Sequence, residues 1–174
     1  MLNETKNMPA GTALLVSALV IYPAFTAINV DVDKREMRFD FQFNLEEGDT
    51  REKYDKMVAN LERCLLFTQK LLGIKPAISQ FSSTITGRIY VTNWRRDMDT
   101  LGESEVDTIH ELLLDFCEEQ NIEVDEGMMD TEQYFHFGRM FEDLFRQIQS
   151  MDHSVRLRAY RDMGMIFVQK LPVG

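Results

Sequence analysis

The clearest pattern along the chain is an alternation. Met37, Phe39, Phe41 and Phe43 interleave with Arg38, Asp40 and Gln42, the period of a strand with one buried and one wet face. Residues 25–32 show the same period in Ile28, Val30 and Val32, so 25–32 and 37–43 are expected to form a hairpin through the polar loop Asp33-Lys34-Arg35-Glu36. The period then changes to 3.6. Across residues 50–72, Tyr54, Met57, Val58, Leu61, Cys64, Leu65, Thr68 and Leu72 fall on one helical face. Asp49 with Glu52 resembles a capping box, and Gly73 followed by Pro76 ends the helix. Leu66, Phe67 and Leu71 widen its apolar surface beyond one stripe, so that end is expected to be sandwiched between elements or to meet another subunit.

Residues 84–92 read as a further strand, with Ile85, Ile89 and Val91 inward, Arg88 and Tyr90 outward, and Gly87 as a bulge. Helices are expected at 103–120 and 131–151. The second has Asp130 and Gln133 as cap and partner, and a stripe of Tyr134, Phe137, Phe141, Leu144, Phe145 and Ile148. Strands at 155–160 and 165–171, joined through Arg161-Asp162-Met163-Gly164, complete the chain.

Residues 12–30 carry no charge and approach the length of a membrane span, so an anchor must be weighed. Pro23, Thr26 and Asn29 interrupt the run, and Glu4 beside Lys6 makes a poor positive flank. A buried strand at 14–22 is the expectation, with 23 as the break. The resulting order is β-β-β-α-β-α-α-β-β: one α+β domain over 1–174 with a polar tail at 1–11. Its sheet is mainly antiparallel, with about three helices on one face.

Length, 44% hydrophobic content and 28% charge fit such a domain and exclude a disordered chain. The net charge of −10 is uneven. Residues 1–98 hold 13 basic and 12 acidic side chains, 99–143 one basic and 15 acidic, and 144–174 five basic and two acidic. Phosphate backbones are bound by clustered Lys and Arg, so nucleic acid is an unfavoured partner. Cys64 and Cys117 are too few for a disulfide framework or a structural zinc site, and both are expected as reduced core residues in a cytoplasmic protein.

Candidate chemistry is sparse. His110 and Cys117 share a helix face, but two turns separate them by about 10.5 Å along the axis, beyond the reach of a base for its nucleophile. Asp97, Asp99 and Gly102 start like a calcium loop that fails at Leu101 and Thr108. Glu118, Glu119, Glu123, Asp125 and Glu126 are expected to form a solvated turn. No P-loop, G-x-G-x-x-G, G-x-S-x-G or H-E-x-x-H occurs, and no catalytic residue, metal or cofactor is assigned.

The remaining candidates are ligand or partner contacts. Arg88, Tyr90, Arg156, Arg158 and Tyr160 would share one sheet face if their strands share a sheet, and that face suits a phosphate or carboxylate. The competing reading is a charge ladder with Asp31 and Asp40. Trp94, Arg95 and Arg96 would extend a partner surface. The leading expectation is a non-catalytic interaction module, adaptor or chaperone-like, binding a protein or a second copy as a homodimer. A small-anion-binding or catalytic domain and a membrane-tethered domain are the alternatives.

Overall fold

The alternating segments pair as expected and then extend further. In a computed structural model, which describes residues 10–124, 132, 139, 142–143, 145–150 and 154–172, six strands form one antiparallel sheet. The elements are α1 (Ala10–Ile21), β1 (Ala27–Asp31), β2 (Glu36–Asn44), α2 (Arg51–Leu72), β3 (Ser79–Thr86), β4 (Ile89–Asp97), α3 (Glu103–Glu119), β5 (Arg156–Asp162) and β6 (Met165–Lys170). Their order across the sheet is β3-β4-β2-β1-β5-β6. The α+β class and antiparallel sheet hold, while the order of elements needs two corrections.

The first concerns 14–22, which is helix, not strand. Leu14, Leu15, Ala18 and Leu19 have no exposure at all, and α1 lies over β1, β5 and β6. Its partly exposed stripe, Thr12, Val16 and Val20, is mostly apolar as well, so the helix carries no amphipathic period and its run resembles a buried strand. Its alanines and leucines are strong helix formers, and the Ser17 hydroxyl donates back to the Ala13 carbonyl at 2.8 Å. Gly11 permits the close approach to β5, since a Cβ there would lie 2.6 Å from Leu157 Cδ1. Ala10 and Gly11 therefore belong to the helix and not to a polar tail. Residues 12–30 divide between α1, a turn and β1, and no helix among the described residues is long and apolar enough to cross a membrane.

The second correction concerns 84–92. Gly87 is no bulge: with φ of +60° it is the first central residue of a two-residue turn, and Thr86 pairs with Ile89 across it. Two strands, β3 and β4, replace the single strand expected. The turn also sets the side-chain parity. Tyr90, Thr92, Trp94 and Arg96 face the helices, while Ile89, Val91, Asn93 and Arg95 face away.

Elsewhere the shifts are small. The β1–β2 loop is 32–35 instead of 33–36, because Asp31 pairs with Glu36. Met163 and Gly164, both with positive φ, close the β5–β6 hairpin. Thr50 caps α2 without a side-chain bond. Asp49 instead receives the Glu46 N–H at 3.0 Å and the Tyr54 hydroxyl at 2.9 Å, so it closes the preceding loop. Gly73, left-handed with φ of 68°, ends the helix as expected. Residues 145–149 are helical, with Phe145 and Ile148 buried. Asp130, Gln133, Tyr134, Phe137, Phe141 and Leu144 lie outside the described residues.

The core lies between the helices and one sheet face. Phe39 stacks on Trp94 with centroids 5.1 Å apart, Tyr54 on Tyr90 at 5.0 Å, and Phe25 tilts against Phe39 at 5.2 Å. The opposite face is mainly polar, with exposed Met165 and Phe167 at its β6 edge.

Candidate functional site

The residues singled out by sequence divide between the two faces. Tyr90, Trp94 and Arg96 point into the core and are fully buried, so they offer nothing to a partner. Tyr90 donates its hydroxyl to Asp55 at 2.7 Å, and Trp94 is packed between Phe39 and Phe81. Arg96 makes a bidentate pair with Glu105, Nε at 3.0 Å from Oε1 and Nη2 at 2.9 Å from Oε2. It also donates to the Thr100 hydroxyl at 2.8 Å and pairs with Asp97. Arg88 sits exposed on the β3–β4 turn. Arg95, Arg156, Arg158 and Tyr160 do share the uncovered face.

On that face the expected charge ladder is present in part. Arg156 pairs with Asp31 across β5 and β1 at 3.0 Å, Arg38 with Asp40 at 2.9 Å, and Arg95 with Glu36 at 3.7 Å. Burial raises the Asp40 carboxyl above its usual value despite the neighbouring Arg38 guanidinium. Tyr160 stacks on Phe167 with centroids 5.5 Å apart, and Arg158 lies over the tyrosine ring.

The acids near the start of α3 are occupied by structural bonds. Burial favours a higher Asp97 pKa, but hydrogen bonds from Thr100 and the Ile78 N–H, with Arg96 adjacent, hold it below the ordinary value. Asp99 pairs with Arg35. No group of three or more potential metal ligands occurs among the described residues.

His110 and Cys117 are both buried in the core. A thiolate–imidazolium pair needs a low thiol and a high imidazole pKa. Burial does the reverse, raising Cys117 and pushing His110 down to about 4. His110, 4% exposed, packs edge-on to Tyr22 at 5.2 Å and also lies against Phe25; Glu111 approaches its Nδ1 at 3.9 Å. Because the folded pKa lies below the unfolded 6.5, the unfolded chain binds the extra proton between these values. Stability is thus complete above about pH 6.5 and falls towards pH 4, by at most about 3 kcal/mol. His110→Phe, which suits this aromatic surround, is expected to flatten urea midpoints over that window. An unchanged slope would show that His110 is not the group responsible.

Sequence reasoning caught only one wall of the remaining feature. A groove of about 660 Å³ runs between α2 and α3, lined by Arg63, Cys64, Phe67 and Thr68 on one side and Asp107, Thr108, Glu111 and Leu112 on the other. Cys64 is half-buried in this wall, not a core residue as its spacing suggested. Along α2 the apolar surface continues over Leu66, Phe67 and Leu71, which are 55%, 68% and 73% exposed, and Leu72. The overlooked signal was the run Leu112-Leu113-Leu114 in α3. Three consecutive leucines exceed one helical stripe; Leu113 is buried while Leu112 flanks the groove.

No family model, curated protein or solved structure matches this chain.

Proposed function

We propose that this chain is a non-catalytic cytoplasmic protein-interaction module that receives a basic amphipathic helix in the groove between α2 and α3. The observation that carries this reading is the solvent exposure of Phe67 in the wall of a largely apolar groove, with exposed Leu71 one turn further along the same face of α2. Exposed contiguous apolar surface of this kind marks interaction sites, and a groove between two helices fits the apolar face of a third. Charge selects the partner's sign. Asp107 and Glu111 line the α3 wall, Arg63 is the one cation lining the groove, and α3 carries no lysine or arginine, so this wall attracts a basic segment and repels the α3 of a second copy. Both cysteines are free, which agrees with a reducing compartment.

The test uses a labelled Lys/Leu amphipathic helical peptide, with a scrambled control and a Glu/Leu counterpart, read by fluorescence anisotropy. Micromolar binding of the basic helix alone is expected. Phe67→Ser is expected to weaken it by at least about 30-fold, the scale of an interface anchor, without changing the thermal midpoint by more than a degree or two. Absence of binding, or equal binding of the acidic helix, would overturn the reading. So would sedimentation showing a dimer that Phe67→Ser disperses, because the surface would then be covered by a second copy.

A further inference from the structure

The uncovered face, on the other side of the sheet from the groove, has an arrangement that the interaction reading does not use. Antiparallel register aligns its side chains in rows perpendicular to the strands. One row crosses all six strands as Gln80, Arg95, Arg38, Asn29, Arg158 and Gln169. Partners on such a row have Cα atoms about 4.5–5.5 Å apart. Arg38 and Arg95 therefore stand directly opposite one another, a like-charge pairing that destabilises a sheet unless something neutralises it. The amides of Asn29 and Gln169 flank Arg158 on either side.

Carboxylates answer only part of this charge. Asp31, Glu36 and Asp40 take Arg156, Arg95 and Arg38 respectively, the Glu36 contact being long at 3.7 Å. Arg158 has no carboxylate within ion-pair distance among the described residues, and its guanidinium lies 5.9 Å from the Tyr160 ring centroid. Next to this row is a cleft of about 270 Å³. Its lining includes four arginines and Lys34, which reaches in from the β1–β2 loop, against Asp31 and Glu36 as the only acids. A local positive excess, in a chain of net charge −10, gathers at one concave place.

We propose that this cleft binds a small oxyanion carrying two or more negative charges, held by the guanidinium groups of Arg38, Arg95 and Arg158. Planar guanidinium forks match phosphoryl and carboxylate oxygens in paired hydrogen bonds, and charge-assisted bonds of this kind are the stronger class. The cleft is slightly below the usual range of about 300–1,000 Å³ for drug-sized ligands, which selects a compact anion. A multiply charged anion suits the row because it can span an opposed arginine pair and, one strand beyond Asn29, a third arginine that Asp40 reaches only through space while it pairs with Arg38.

The test is calorimetric titration at low ionic strength with pyrophosphate and, separately, citrate. Pyrophosphate binding alone assigns a phosphoryl ligand, citrate binding alone a polycarboxylate, and either supports the site. Arg158→Gln is expected to raise Kd about tenfold or more, as loss of a charge-assisted bond does. Arg158 forfeits no ion pair, only its contact with the Tyr160 ring and its field at Asp40, so this variant is expected to fold; Arg38→Gln, which also leaves Asp40 without its partner, is the second variant. Arg51→Gln, on exposed α2, is expected to change Kd by less than twofold. Neither anion binding at millimolar concentration would overturn the proposal. So would an Arg51→Gln loss equal to that of Arg158→Gln, which would mean diffuse attraction only.

Discussion

Glu105→Ala is expected to destabilise the fold by about 3–5 kcal/mol, read as a fall in the urea midpoint at constant slope. Glu105 and Arg96 are both completely buried, and each carboxylate oxygen has two donors. Oε1 accepts from Arg96 and from Gln69 of α2 at 2.8 Å, while Oε2 accepts from Arg96 and from the Gly102 N–H at 2.9 Å. Removing the carboxylate leaves the buried guanidinium with Asp97 as its one remaining carboxylate, strands the Gln69 amide and frees the amide at the start of α3. The loss compares with a typical total stability of about 5–15 kcal/mol, so little folded protein would remain at elevated temperature. The triple variant Arg96→Met, Asp97→Asn and Glu105→Leu is expected to be more stable than Glu105→Ala, because no unpaired charge then stays buried. A single-variant cost below about 1 kcal/mol would show that water reaches the pair.

Trp94→Ala is expected to cost a further comparable amount, about 3–5 kcal/mol, measured by circular dichroism during denaturation. The indole has no exposure, stacks between Phe39 and Phe81, and belongs to the second strand of the sheet order. Trp94 is the chain's one tryptophan, so the unaltered protein offers a companion measurement. Its fluorescence should be blue-shifted and resist acrylamide. A red-shifted, easily quenched signal in the folded state would return Trp94 to the surface role its Trp-Arg-Arg context first suggested.

Legibility in the sequence followed how unequal the environments of neighbouring residues are. In β2, Phe39 is buried while Gln42 is exposed, and the period announced a strand. α2 was readable for the same reason, and Gly73 marked its end. α1 reads as a strand because even its partly exposed positions, Val16 and Val20, are apolar, which erases the periodicity. β3 was missed for the opposite reason: most of Ser79–Thr86 is exposed and polar, so an edge strand looked like loop. Without β3 in view, Gly87 reads as a bulge instead of a turn, and the faces of β4 are exchanged. Arg96 then looked like a surface cation, since no local pattern announces a carboxylate nine residues on that will enclose it. The anion cleft was half legible. Arg156, Arg158 and Tyr160 were placed together correctly, while Arg38 and Asn29 acquire their meaning only from cross-strand register.

The position of β1 has a consequence for synthesis. Its two neighbours are β2, which follows at once, and β5, which comes from the opposite end of the chain. α1 also rests on β5 and β6. As the polypeptide leaves the ribosome, the inner edge of β1 and the leucines of α1 must wait until the last hairpin has been translated. Until then an unpaired strand edge and the apolar surface of α1 stay uncovered, so fragments ending before β5 are expected to be less soluble than the full chain, read as the pelleted fraction after centrifugation.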